Sequence, residues 1–194
     1  MVFVALEGFS GTGKTTLALG LEKLGWMRLA ESAHVVPKLV PVAERADTAA
    51  DYSLLGATMV YSSVISKLRG ERKIVSEGYL LSDLAYARIR YDLGKSEAYP
   101  AMLDMCRTVL TQEKLRPDLY ILLEAKRGTI QARQNEKNDR DRNITEFFRT
   151  RYYTALAEIH EELGQANVER LYSGSDPEVT LDAVVSLLKR RRVV

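Results

Sequence analysis

Gly8-Phe9-Ser10-Gly11-Thr12-Gly13-Lys14-Thr15-Thr16 is the stretch that decides the fold. It satisfies the pattern G-x-x-x-x-G-K-[ST], with Gly8, Gly13, Lys14 and Thr15 in the fixed places. Its flanks give the match physical weight. Residues 2–6 are an apolar run of the kind that forms a buried parallel strand. Beyond the loop, Leu17, Leu21 and Leu24 fall on one helical face, and Gly25 supplies a stop. Strand, glycine loop and helix in this order make a phosphate cradle. Glycines at 8, 11 and 13 allow a tight turn that aims successive N–H groups into one concavity. The helix adds its unsatisfied N–H groups and the positive end of its dipole. A nucleoside triphosphate with Mg²⁺ is the expected ligand. Gly8, Ser10, Gly11, Thr12, Gly13, Lys14, Thr15 and Thr16 are its candidate contacts. Lys14 would reach the β- and γ-phosphates, and the Thr15 hydroxyl would take a place on Mg²⁺.

The rest of the composition narrows the class. At 194 residues the chain is long enough for one domain with a sizeable core, and 46% hydrophobic with 28% charged residues is ordinary for a globular protein. A net charge of +2 gives no argument for nucleic acid or a membrane surface. The basic run Lys189-Arg190-Arg191-Arg192 reads as a helix end that complements the dipole. Cys106 is the lone cysteine, which excludes an internal disulfide and fits a reducing compartment. His34 and His160 are too far apart in sequence to suggest a metal pair. The apolar N-terminus lacks a basic leader and runs at once into the glycine loop, so it reads as a core strand. No run approaches the ~20 apolar residues of a membrane span. A cytoplasmic protein is the expectation.

Along the chain, strands are expected at 26–30, 73–76, 118–123 and 168–171, and helices at 51–68, 82–93, 99–115, from 129 onward, and after 143 and 175. Residues 34–42 read as a loop with two prolines. Asn143-Ile144-Thr145-Glu146 and Ser175-Asp176-Pro177-Glu178 read as helix starts. Strands alternating with helices imply a three-layer α/β/α domain, with a five-stranded parallel sheet covered on both faces. Ligands of such sheets bind beyond the C-terminal strand ends. Gly8, Glu31, Glu77 and the 124–142 segment all fall there.

The ordered set of motifs resembles the thymidylate kinase family of P-loop kinases, with the deoxynucleoside kinases as close relatives. Glu77-Gly78-Tyr79 stands where the family has Asp-Arg-Tyr, followed by Asp83-Leu84-Ala85-Tyr86-Ala87. Arg116-Pro117-Asp118 precedes the fourth strand, and Phe147-Phe148-Arg149-Thr150-Arg151 and Ser173-Gly174-Ser175-Asp176-Pro177 fall in the family's order. The resemblance implies that Arg133 packs on the donor adenine. It also implies that 134–143 is a lid from which Arg140 or Arg142 closes over the transferring group, and that the assembly is a homodimer. The departures lie on the acceptor side. Gly78 replaces the arginine that grips the acceptor phosphate, and Val60 and Ala87 replace residues that face the base. Tyr79, Tyr86, Arg45, Arg88 and Arg90 are the candidate acceptor contacts by register.

The implied reaction is transfer of the γ-phosphoryl group of Mg·ATP to a nucleoside monophosphate, with Lys14, Glu31, Glu77, Arg140 and Arg142 as the catalytic set. Glu77 is also a candidate for holding Mg²⁺ through water. Two alternatives stand beside this reading. An acceptor hydroxyl needs a carboxylate to take its proton, and Glu31 resembles the catalytic glutamate of deoxynucleoside kinases. A P-loop ATPase switch needs no acceptor at all.

Overall fold

The computed structural model describes residues 2–35, 41, 45–135, 146–164, 167–174 and 176–192. Its elements in chain order are β1 (Phe3–Glu7), α1 (Lys14–Lys23), β2 (Met27–Leu29), α2 (Ser32–Val35), α3 (Thr48–Leu68), β3 (Ile74–Glu77) and α4 (Leu80–Asp92). There follow α5 (Tyr99–Leu110), β4 (Leu119–Glu124), α6 (Arg127–Asn135), α7 (Glu146–Glu162), β5 (Val168–Tyr172) and α8 (Pro177–Arg190). The five strands form one parallel sheet in the order β2-β3-β1-β4-β5. β1 is therefore central, and the order reverses on either side of it. The loop after β1 opens at the switch point, where ligands of such sheets bind.

Strand alternation sorts the core into two layers. Val4 and Leu6 of β1 join Ile121 and Leu123 of β4 on the face covered by Leu17 and Leu21 of α1 and Val184 and Leu188 of α8. Phe3 and Ala5 join Tyr120 and Leu122 on the opposite face, beneath α3, α4, α5 and α7. Glu7 has the parity of Phe3 and Ala5, so the strand that leads into the glycine loop delivers a carboxylate to that second layer.

The sheet and both covering layers agree with the expectation from sequence, and several boundaries differ. Trp26 and Ala30 lie outside β2, with Trp26 buried against the α1 layer. α4 begins at Leu80, two residues early, directly after the turn at Gly78. α5 ends at Leu110 and not at 115. The Arg69 guanidinium donates to the carbonyls of Glu113 and Arg116 at 2.5 and 2.7 Å, which holds the following segment as turns. α8 is capped by Asp176, whose carboxylate accepts from the Glu178 and Val179 N–H groups at 2.8 and 3.4 Å. The expected capping residue, Ser175, lies outside the described residues, as does the start expected at 143–145. The four-residue α2 was not expected at all.

Candidate phosphate-transfer site

The loop from Gly8 to Gly13 owes its shape to backbone angles that side chains resist. Gly8, Gly11 and Gly13 have φ of 147°, 88° and 97°. A Cβ on Gly8 would stand 2.6 Å from the Leu123 carbonyl oxygen, so only glycine fits between β1 and β4. Within the loop the Thr12 N–H and hydroxyl both donate to the Phe9 carbonyl, at 3.2 and 2.9 Å. α1 then starts at Lys14 with no side-chain cap and no acidic residue in its first turn. Its first N–H groups are left for an anion, and nothing negative in that turn opposes one.

The loop, α1 and two distant elements enclose a cavity of about 390 Å³ lined by Gly11, Gly13, Lys14, Thr15, Thr16, Glu31 and Arg133. The Lys14 ammonium donates to the Gly8 carbonyl at 2.7 Å and stands 3.8 Å from Glu31. Lysine thus bridges the loop to Glu31, two residues beyond the end of β2. Arg133, on α6, donates to the carbonyls of Gly11 and Gly174 at 3.2 and 2.6 Å and to the Ser173 hydroxyl at 3.3 Å. It thereby joins the glycine loop to the turn after β5 and forms one wall of the cavity.

Glu77 ends β3, is fully buried, and has both oxygens engaged. The Thr15 hydroxyl donates to Oε2 at 2.5 Å, and the Arg28 Nε donates to Oε1. Donation by Thr15 turns its own lone pairs away from Glu77. A hydroxyl oxygen is a hard donor of the kind a magnesium ion takes, so Thr15, which lines the cavity, fits that ion. Glu77, buried with both oxygens occupied, orients Thr15 from behind. Arg28 was absent from the sequence reading. A lone cation in the short strand Met27–Leu29 was the signal for it.

Two further buried carboxyls lie behind the cavity. Burial holds Glu7 at about 8, against the lowering effects of the Ser82 hydroxyl and Lys14. Its Oε2 accepts from Ser82, whose hydroxyl also meets the Tyr152 hydroxyl at 2.9 Å. Burial likewise raises Asp83 to about 7, against hydrogen bonds from Thr58 and Ser32.

The acceptor-side candidates scatter. The Tyr79 ring packs edge-on against Phe3 and its hydroxyl meets Ser62 at 2.9 Å, so it belongs to the core. Tyr86 packs among Phe9, Phe148 and Tyr152. Arg88 bonds Asp92 at 3.2 Å and the Tyr99 hydroxyl at 3.3 Å, on the side of α4 that meets α5. Arg90 is fully buried in an ion pair with Asp51. Arg45 is exposed just ahead of α3. Gly78 has φ of 69°, and a Cβ there would come 3.8 Å from Glu31 Cγ and 3.5 Å from Ser82. Arg140, Arg142 and the 136–143 part of the expected lid lie outside the described residues; 134 and 135 belong to the last turn of α6.

No family model matches the sequence, and no curated protein is found similar to it. Solved structures are similar over the whole chain. Deoxyadenosine kinase from M. mycoides with bound dATP matches at a TM-score of 0.71 with 18% identity, covering 97% of this chain and 100% of its own. The same enzyme with dCMP and a flexible dCDP matches at 0.69 with 17% identity, covering 97% and 99%. Thymidylate kinase from Candida albicans matches at 0.74 with 15% identity, covering 99% and 92%. The chain has the P-loop kinase fold. The resemblance drawn from motif order, to nucleoside and nucleotide kinases together, agrees with these neighbours.

Proposed function

We propose that the chain is an ATP-dependent phosphotransferase that moves a γ-phosphoryl group to a hydroxyl of a small, nucleoside-type acceptor. The observation that carries this reading is the position of Glu31. It lines the same cavity as Lys14 and the glycine loop, 3.8 Å from the Lys14 ammonium. An anionic acceptor phosphate needs a cationic clamp, whereas a hydroxyl needs a base. Gly78 brings no cation to the place beside Glu31, and Arg88 and Arg90 are engaged with Asp92 and Asp51. Among the described residues, the acid that faces the cavity is Glu31.

In this reading the loop amides, the α1 N-terminus and Lys14 hold the triphosphate, and Arg133 borders the nucleoside end. Thr15, oriented by Glu77, would hold a magnesium ion, which neutralises phosphate charge when bound. Glu31 accepts the acceptor's proton as the new O–P bond forms and the bond to the ADP oxygen breaks. Glu77 is unsuited to that proton transfer, since it is buried with both oxygens occupied. The deoxyadenosine kinase neighbours make a nucleoside the first acceptor to try.

Glu31→Gln keeps size and loses basicity. It is expected to lower transfer about 10²–10⁴-fold while leaving ATP binding in place. Turnover at the wild-type level would remove the base and, with it, the argument for a hydroxyl. The monophosphate alternative rests on Arg45, exposed ahead of α3. A strong rise in acceptor KM in Arg45→Ala would favour it.

A further inference from the structure

Asp83 lines no part of the cavity and takes no part in the proposed reaction, yet three helices meet at its carboxylate. The Ser32 hydroxyl, at the start of α2, donates to Oδ1 at 3.0 Å. The Thr58 hydroxyl, in α3, donates to Oδ2 at 2.5 Å. All three side chains are buried, and α4 supplies Asp83 itself. Among the described residues, the other titratable and charged groups that face it are Glu31, Glu7, the Cys106 thiol and Arg90, the last paired with Asp51.

Glu31 is joined to this arrangement through the chain. It precedes Ser32, and its carbonyl accepts from the His34 N–H at 2.8 Å, which closes the single turn of α2. Four residues of helix have no intrinsic stability in water, so this turn needs tertiary anchors. Ala33 packs against Leu54, which supplies contact without direction. The Ser32–Asp83 bond supplies direction. On the far side, the Glu31 side chain passes close to the Gly78 turn ahead of α4, within van der Waals reach of where a Cβ would stand. A buried carboxylate satisfied by two hydroxyls from different helices fixes both of them.

We infer that Asp83 is a positioning residue that, by holding Ser32 against Thr58, keeps Glu31 on the Lys14 side of the cavity. The inference rests on the reading of Glu31 as the acceptor's base. It assigns Asp83 to the enzyme's own geometry, since its two oxygens are taken by Ser32 and Thr58.

The test uses Ser32→Ala, Thr58→Val and Thr58→Ser, each in the wild-type chain and in Glu31→Gln. Ser32→Ala removes one hydroxyl and leaves the core volume nearly unchanged, and a melting profile taken with each kcat confirms that the variant is folded. In the wild-type background Ser32→Ala and Thr58→Val should lower kcat about tenfold, inside the ~100-fold that a 1 Å misplacement costs. The KM for ATP should stay within about twofold, and Thr58→Ser should retain wild-type kcat. In Glu31→Gln the same substitutions should cost nothing further, because the group they position is already gone. Amide exchange across 30–35 should quicken in Ser32→Ala and Thr58→Val. Equal losses in both backgrounds, or unchanged exchange across 30–35, would overturn the inference. Wild-type turnover in Glu31→Gln would instead sink the base reading. A loss in Glu31→Gln with none in Ser32→Ala would sink the positioning role alone.

Discussion

The glycine loop, which the proposed function makes the donor half, is built largely of backbone: three glycines at positive φ, the uncapped start of α1, and the Gly8 carbonyl that takes Lys14. The region beyond it, which the proposed function makes the acceptor half, is built of side chains tied to other side chains. Glu77 is held by Arg28 and Thr15, Asp83 by Ser32 and Thr58, and Arg90 by Asp51. The contrast teaches which half is open to change. A backbone cradle serves any triphosphate and tolerates little substitution, because each of the three glycines holds a positive φ that side chains resist. A side-chain lattice is altered one pair at a time, and this chain has placed its charges so that Glu31 is left facing the cavity.

The hardest break in the comparison is Lys14→Ala. The donor half should lose transfer on the order of 10³-fold while the circular dichroism spectrum and melting profile stay close to wild type. Near-normal turnover would show that the backbone cradle binds something other than the transferring phosphates.

A smaller effect is expected where the two halves share a floor. Burial raises Glu7 from its ordinary 4.5 to about 8. The folded state therefore holds a proton that the unfolded chain releases. This contribution to stability is complete below about pH 4.5 and is lost as pH rises toward 8, at no more than about 1.4 kcal/mol per unit. Asp83, raised to about 7, acts in the same direction over a lower range. Glu7→Gln should abolish its share, so the variant gains on the wild type from pH 5 to pH 8. Urea midpoints at three pH values measure this. Parallel curves for the two proteins would mean that Glu7 is solvated in the folded state.

The smallest effect is expected at Arg88. Its ionic partners, Asp92 of α4 and Glu158 of α7, are more than a third exposed, and such pairs contribute about 0–1 kcal/mol. Arg88→Ala should change stability by no more than that and leave the acceptor KM within about twofold. A large rise in KM would bring Arg88 back to the acceptor and weaken the case that its charge is engaged elsewhere.

The same contrast explains what was legible in the sequence. The cradle lies within nine consecutive residues, so its glycines, Lys14 and Thr15 could be read directly. The sheet followed from apolar runs separated by helical periodicity. The acceptor half depends on partners far apart in the chain. Thr15 meets Glu77 across 62 residues, Ser32 meets Asp83 across 51, and Ser82 meets Glu7 across 75. No local pattern announces such pairs, so Arg28 and Glu7 carry no sign of their partners in the sequence, and Asp83 is legible as part of a motif but not as the partner of Ser32 and Thr58. Tyr79 was read as an acceptor contact because it follows a motif, whereas its place at the start of α4 turns it into the core against Phe3. α2 was missed because four residues carry no periodicity.

The central claim is that the donor half serves a hydroxyl acceptor through Glu31. The most direct test offers the protein Mg·ATP with an equimolar mixture of nucleosides and nucleoside monophosphates and reads every phosphorylated product by mass. The account predicts that a nucleoside gains one phosphoryl group, that ADP appears in equal amount, and that the rate of product formation falls about 10²–10⁴-fold in Glu31→Gln. Diphosphates formed from the monophosphates alone, or ADP and inorganic phosphate with no phosphorylated acceptor, would contradict it.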